Sequence, residues 1–198
     1  MRRGMAMVVA MAALLAMPVL AGSAPEGPVV PPLKPGTSRP TLDFATLSGE
    51  HPTWASLRGK VVVLDFWASW CAPCLASFPK MNALQAQFAG KPVVFYSVTY
   101  EKPGAVRAQL AQTPLRTQVA VDNDFHTFES FNGWGIPTVY MFDRNGVLVA
   151  TTHPDHFDAA AVQALLDGRV PSTPSARAWS DAKGAETYFR SLRDKQAN

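Results

Sequence analysis

Between residues 42 and 166 the apolar positions fall into short blocks whose spacing changes from one block to the next. Lys60 leads into Val61-Val62-Val63-Leu64-Asp65-Phe66-Trp67-Ala68, an apolar run rich in β-branched and aromatic side chains and interrupted only by Asp65. Such a run predicts a central strand covered on both faces. Over residues 73–89 the rhythm becomes helical: Leu75, Phe78, Met81, Leu84 and Phe88 recur at three or four residues, and Gly90 closes the segment. Residues 93–99 predict a second buried strand, 105–112 a helix and 119–121 a short third strand. Two further apolar runs, 136–142 and 147–151, flank Asp143-Arg144-Asn145-Gly146, and Asn-Gly between such runs predicts a hairpin. A last helix is predicted over 157–166. The order predicts an α/β fold, a central mixed β-sheet flanked by helices. Ahead of it, Leu42, Phe44 and Leu47, the turn Ser48-Gly49-Glu50, then Trp54 and Leu57 predict two extended pieces, an amino-terminal β-hairpin extension.

The flanks are different. Arg2 and Arg3, an apolar stretch over residues 5–20 and the small residues Ala21, Gly22, Ser23 and Ala24 form the three parts of a secretory signal over residues 1–24. The apolar stretch is about 16 residues and contains Pro18, short for crossing roughly 30 Å of hydrocarbon, so an uncleaved anchor is the alternative. Cleavage after Ala21 and after Ala24 both fit. Residues 25–40 hold six prolines and few apolar side chains, which predicts a mobile, extended linker. The folded domain is expected over residues 41–168. A polar tail follows over 169–198, with a helix predicted over 176–192 that carries Trp179, Tyr188 and Phe189.

Composition narrows the functions. A chain of 198 residues supports one substantial core, and two cysteines exclude both a disulfide framework and a zinc site built from thiolates. The net charge of +3 falls to +1 without Arg2 and Arg3, which leaves no electrostatic footprint for nucleic acid. Five of the seven methionines precede residue 18, so they form no copper-binding surface in the domain. His51, His126, His153 and His156 are scattered over polar segments and read as solvated loop residues.

Both cysteines lie in Cys71-Ala72-Pro73-Cys74, where the central strand gives way to a helix. A thiolate at a helix amino terminus faces unpaired N–H groups and the positive end of the dipole, which lowers its pKa and raises its reactivity. The spacing lets the sulfurs form a disulfide with the first exposed and the second turned inward. A static disulfide or a metal-binding pair would use the same four residues.

The segment from Val63 to Cys74, read as Val63-Leu64-Asp65-Phe66-Trp67-Ala68-Ser69-Trp70-Cys71-Ala72-Pro73-Cys74, resembles the thioredoxin superfamily signature, with Pro79 where that helix is kinked. Gly59-Lys60, Gly133 through Ile136-Pro137-Thr138, and Asp143-Arg144-Asn145-Gly146 are similar to exported reductases of the TlpA/ResA group, and the likeness covers residues 40–166. The resemblance implies a thioredoxin-like fold and a thiol-disulfide oxidoreductase in which Cys71 is the nucleophile and Cys74 resolves the mixed disulfide. It makes Asp65 the proton acceptor for Cys74, a role suited to a carboxyl whose pKa desolvation raises toward neutrality. It makes Pro137 a cis proline facing the sulfurs, and it places Trp70, Ala72, Pro73 and Ile136 on the substrate surface, with the Ile136 backbone pairing to a substrate strand. No cofactor or metal beyond the Cys71–Cys74 disulfide is implied. The implied location is the periplasm, and the implied partners are exported proteins with disulfides and a membrane thiol reductant of the DsbD/CcdA type.

Direction rests on the residues between the cysteines. Thioredoxin near −270 mV and DsbA near −120 mV differ by about 150 mV, roughly 7 kcal/mol for two electrons. Strong oxidants of the superfamily carry a histidine between the cysteines, whereas this chain has Ala72-Pro73, which favours a reductase. Ser77 stands where many relatives serving cytochrome c maturation have glutamate, which weakens an assignment to that substrate. A disulfide oxidase or isomerase of the same fold is the alternative. A copper module of the Sco kind would show CxxxC and a distal histidine, and neither is recognisable.

Overall fold

The computed structural model describes residues 33–131 and 135–173. The secretory signal, the start of the linker, Gly133 and the helix expected over 176–192 lie outside the described residues.

Six strands form one sheet: β1 (Ala45–Thr46), β2 (Val61–Phe66), β3 (Val93–Thr99), β4 (Gln118–Val121), β5 (Thr138–Phe142) and β6 (Leu148–Thr152). Their order across the sheet is β1-β4-β3-β2-β5-β6. β2 pairs in parallel with β3, and β3 with β4; β5 joins β2 antiparallel and continues through the Asp143–Gly146 turn into β6. The central place of β2 explains its composition, since every one of its six residues is buried. Among the described residues four α-helices accompany the sheet: α1 (Ala72–Gln87), α2 (Pro103–Gln112), α3 (His126–Ser130) and α4 (Ala159–Leu166).

Strand alternation divides the core in two. Val61 and Val63 cluster with Met81 and Leu84 of α1, with its C-cap Phe88, and with Ala161, Val162 and Leu165 of α4. Val62, Leu64 and Phe66 point the other way, to Phe44, Val106 of α2 and the aromatics around α3. Phe66 meets Phe128, Phe131 and Tyr140 at ring-centroid distances of 4.6, 5.3 and 5.3 Å. Removing such a buried ring costs about 3–5 kcal/mol, so this cluster holds the carboxyl end of β2 in place.

Three features depart from the sequence pattern. The amino-terminal β-hairpin extension is one two-residue strand, β1, paired antiparallel with β4. The Ser48-Gly49-Glu50 turn closes through Thr46 N–H to Glu50 carbonyl, 2.8 Å, but residues 54–59 then form turns in place of a second strand. The spacing of Trp54 and Leu57 serves those turns, where Leu57 is buried and Trp54 packs on Phe142 at 4.8 Å. Residues 36–38 of the expected mobile linker are fastened to the domain: Gly36 N–H donates to Leu148 carbonyl, 2.7 Å, and Leu148 N–H to Thr37 carbonyl, 2.9 Å. Composition is blind to such main-chain pairing. Finally, α3 has no counterpart in the pattern. Its N-cap, Phe125, is left-handed at φ 62° and makes no side-chain cap, so the usual start signals are missing.

Candidate active site

Strand β2 ends at Phe66, and the chain turns through Trp67-Ala68-Ser69-Trp70 into α1. Cys71 is the N-cap residue and its Sγ accepts from Cys74 N–H at 3.3 Å. Pro73 sits in the first turn, where a missing N–H removes no intrahelical bond. That turn carries no acidic side chain, so the positive end of the helix is left to the sulfur. Cys71 and Cys74 are joined by a disulfide. Ala72 and Pro73 between them are exposed.

The sequence places Cys71 outward, but in the disulfide state it is 3% exposed and Cys74 1%. The bond and the N-cap contact turn the Cys71 sulfur back over the helix start, into the cluster that holds Trp67, Phe78 and Ile136. Helix α1 continues past Pro79 to Gln87. Ser77 is buried and donates its hydroxyl to the Cys74 carbonyl at 2.7 Å.

The register Phe66↔Thr138 brings the segment before β5 to the same end of the sheet. The Ile136–Pro137 peptide bond is cis, and β5 begins at Thr138, two residues later than the apolar pattern suggests. Ile136 is buried in the cluster of the sulfurs. Trp70 is 52% exposed and donates its indole N–H to the Tyr100 hydroxyl at 2.7 Å. Tyr100 is buried and stacks on Phe125 at 5.2 Å.

Asp65 lies on β2 opposite Ser97 of β3 and Val139 of β5. Alternation puts it on the α1 side of the sheet with Val61 and Val63. Burial pushes its carboxyl up from the ordinary 3.8 to about 7, partly offset by the Ser97 hydroxyl. Ser97 in turn shares a 2.8 Å hydrogen bond with Thr117, also buried.

The pattern of residues missed Ser97, Thr117, Tyr100 and Glu101. All four contact the site through pairings of distant segments, and the nearest local signal is that Tyr100 and Glu101 follow the carboxyl end of β3, the end of parallel strands where sites collect. The histidines differ too. His126 begins α3, and its Nδ1 lies 2.7 Å from Asp43 Oδ2, whose hydrogen bond holds the imidazole pKa above its ordinary value. His153 is the N-cap of a 3-10 turn, Pro154–His156. Among the described residues no group of three His, Cys, Asp or Glu is gathered for a metal ion.

A central parallel strand running into a helix whose first turn carries a CxxC disulfide, with a cis proline in the adjoining segment, defines a thioredoxin-fold thiol-disulfide oxidoreductase. Comparison with known proteins agrees. The AhpC/TSA family matches residues 35–151, and the chain belongs to that family. It is 31% identical over 119 residues to the thioredoxin-like protein YneN of Bacillus subtilis, covering 59% of this chain and 69% of YneN. It is 29% identical over 115 residues to the thiol-disulfide oxidoreductase ResA of Bacillus cereus, covering 58% of this chain and 66% of ResA. Among solved structures, a thiol:disulfide interchange protein of the thioredoxin family from Chlorobium tepidum superposes with a TM-score of 0.56 at 26% identity, covering 68% of this chain and 98% of that one.

Proposed function

We propose that the protein reduces disulfides of exported proteins in the periplasm, cycling between a Cys71/Cys74 dithiol and the disulfide. The observation that carries this reading is the Cys71–Cys74 disulfide at the start of α1, with exposed Ala72 and Pro73 between the cysteines, exposed Trp70 before them and the cis Ile136–Pro137 bond at the same end of the sheet. The Cys71 thiolate attacks one sulfur of a substrate disulfide, forming a mixed disulfide and releasing the other substrate sulfur as a thiolate. Cys74 gives its proton to the Asp65 carboxylate, and its thiolate attacks the Cys71 sulfur. That step expels the second substrate thiolate and leaves Cys71 and Cys74 oxidised, two electrons having passed to the substrate. Asp65 suits the transfer because burial poises its carboxyl near neutrality.

The exposed Trp70, Ala72 and Pro73 give a substrate an apolar surface, and the main chain of Ile136 and Pro137, whose side chains are buried, is its second contact. Pro137 lacks an N–H that could compete for the sulfurs. Reduction of the spent pair needs a thiol donor, for which a membrane reductant of the DsbD/CcdA type is the partner, and the apolar leader delivers the chain to that compartment. Ala72-Pro73, without a histidine, supports the reducing direction over the oxidase alternative.

The test is Cys74→Ala. This variant should accumulate mixed disulfides on Cys71 in cells, released by added dithiol, while Cys71→Ala gives none. Absence of any Cys71-dependent adduct, or a midpoint potential near that of DsbA, would overturn the reductase assignment.

A further inference from the structure

Two consecutive residues beyond β3 hold two consecutive residues before the nucleophile. Tyr100 accepts the indole N–H of Trp70 at 2.7 Å. Glu101 takes Ser69: one carboxylate oxygen accepts the Ser69 N–H at 2.6 Å and the other the Ser69 hydroxyl at 2.5 Å. Thr99 donates its hydroxyl to the first oxygen at 3.2 Å and accepts the Glu101 N–H at 3.3 Å, which fixes the carboxylate from its own strand. Both oxygens of Glu101 are thus committed to the loop that carries Cys71, across 32 residues of sequence.

We propose that Glu101 is a positioning residue for Cys71, clamping the Ser69-Trp70 loop and placing a negative charge beside the nucleophile that favours the thiol over the thiolate. The proposal rests on Cys71 being the attacking sulfur and adds a reason for its direction of electron flow.

The electrostatics follow from the surroundings. The first turn of α1 has no acid, so the helix end by itself favours the thiolate. Glu101 works against it. Ser69 and Cys71 are two residues apart, at most about 7 Å between Cα atoms, which with the 2.6 Å bond to Ser69 N–H keeps the charge within about 14 Å of the sulfur. Among the described residues, Asp65 lies on β2 under α1, Lys102 is the exposed N-cap of α2, and the Tyr100 hydroxyl holds Trp70. A carboxylate that disfavours the Cys71 thiolate destabilises the reduced form at neutral pH; removing its charge stabilises that form, so the pair should become a stronger oxidant.

The experiment uses the full chain with Glu101→Gln, Glu101→Asp and Ser69→Ala, following the Cys71 thiolate by its ultraviolet absorbance against pH and the midpoint potential against glutathione. Glu101→Gln should raise the thiolate fraction at pH 7 about three- to tenfold and move the potential to a more oxidising value. Glu101→Asp should restore most of the parental titration, and Ser69→Ala, which keeps the charge but removes the hydroxyl bond, should leave the Cys71 titration and the potential close to the parent's. If Glu101→Gln unfolds, Glu101→Ala, which also removes the charge, carries the test through a shift of the same sign. Parental titration and potential in the folded charge-free variant would overturn the proposal. Neither readout involves a substrate, so a parent protein that reduces no protein disulfide would defeat the functional assignment and leave this result standing.

Discussion

The Ser97 hydroxyl donates to Oδ2 of Asp65 at 3.4 Å across the β2–β3 register, while Oδ1 of the same buried carboxyl has no partner among the described residues. A half-satisfied acid in the middle of a sheet is costly to ionise, and both the pH response and the chemistry of the protein should follow from that cost.

Stability of the oxidised protein should fall as pH rises from about 4 to 7. The folded Asp65 carboxyl titrates near 7 and the unfolded one near 3.8, so within that window the folded state holds a proton that the unfolded state has released. The loss across the window is at most on the order of 4 kcal/mol. Asp122, pushed up to about 6 mainly by burial, adds a slope of the same sign at the acidic end. Asp65→Asn should therefore flatten urea-denaturation midpoints between pH 6 and 7 and slow disulfide exchange about 10- to 100-fold. An unchanged pH slope in that variant would refute the linkage.

Ser97→Ala removes the one hydrogen bond that lowers the Asp65 pKa. The acidic limb of the pH–rate profile should move upward, with the rate at pH 7 reduced severalfold and recovered at higher pH. Thr117→Val, which breaks only the 2.8 Å bond to Ser97, should shift the limb less. Superimposable profiles for the three proteins would show that Asp65 takes no part in the rate-limiting proton transfer.

Asp122 is fully buried and accepts the Phe128 N–H at 2.8 Å, tying β4 to α3. Asp122→Ala should destabilise by about 1–3 kcal/mol by orphaning that N–H, whereas Asp122→Asn, which keeps an acceptor, should stay within about 1 kcal/mol of the parent. Equal losses in thermal denaturation would show that charge, and not the hydrogen bond, holds α3.

Gly146 closes the β5–β6 turn at φ +77°, and a Cβ there would lie 3.3 Å from Trp54 Cε3 and 3.4 Å from Arg39 Cγ. Gly146→Ala should lower stability by roughly 1–2 kcal/mol, combining left-handed strain with crowding of Trp54. Since the turn lies at the end of the sheet remote from Cys71, the redox potential should not move; a shifted potential would contradict that separation.

The parts of the fold that were legible are those whose own residues carry the pattern. β2 is apolar because both its faces are covered, and α1 shows helical spacing because one side of it packs on the sheet. Asp65 and Pro137 were singled out through the resemblance to the thioredoxin signature, whereas the cysteines were legible at the junction of two such segments. Ser69–Glu101 and Trp70–Tyr100 were not, because each joins segments about 30 residues apart with no local mark on either. The short α3 was hidden by an aromatic N-cap in a left-handed conformation, which obeys tertiary packing on Tyr100 over local preference.

The segment ahead of β1 bears on how the protein behaves when handled. β6 is an outer strand of the sheet, and residues 36–38 run along it, satisfying Leu148 on both its N–H and its carbonyl and bridging Ser38 to Val147. Leu33 extends the cover, its carbonyl accepting the Thr151 hydroxyl at 3.2 Å. The opposite border is β1, only two residues long. Neither border therefore offers a long open ladder for a second molecule to extend. A chain trimmed to begin at Leu42, where the hydrophobic blocks start, would keep its disulfide and lose that guard, and would be the form prone to self-association at high concentration.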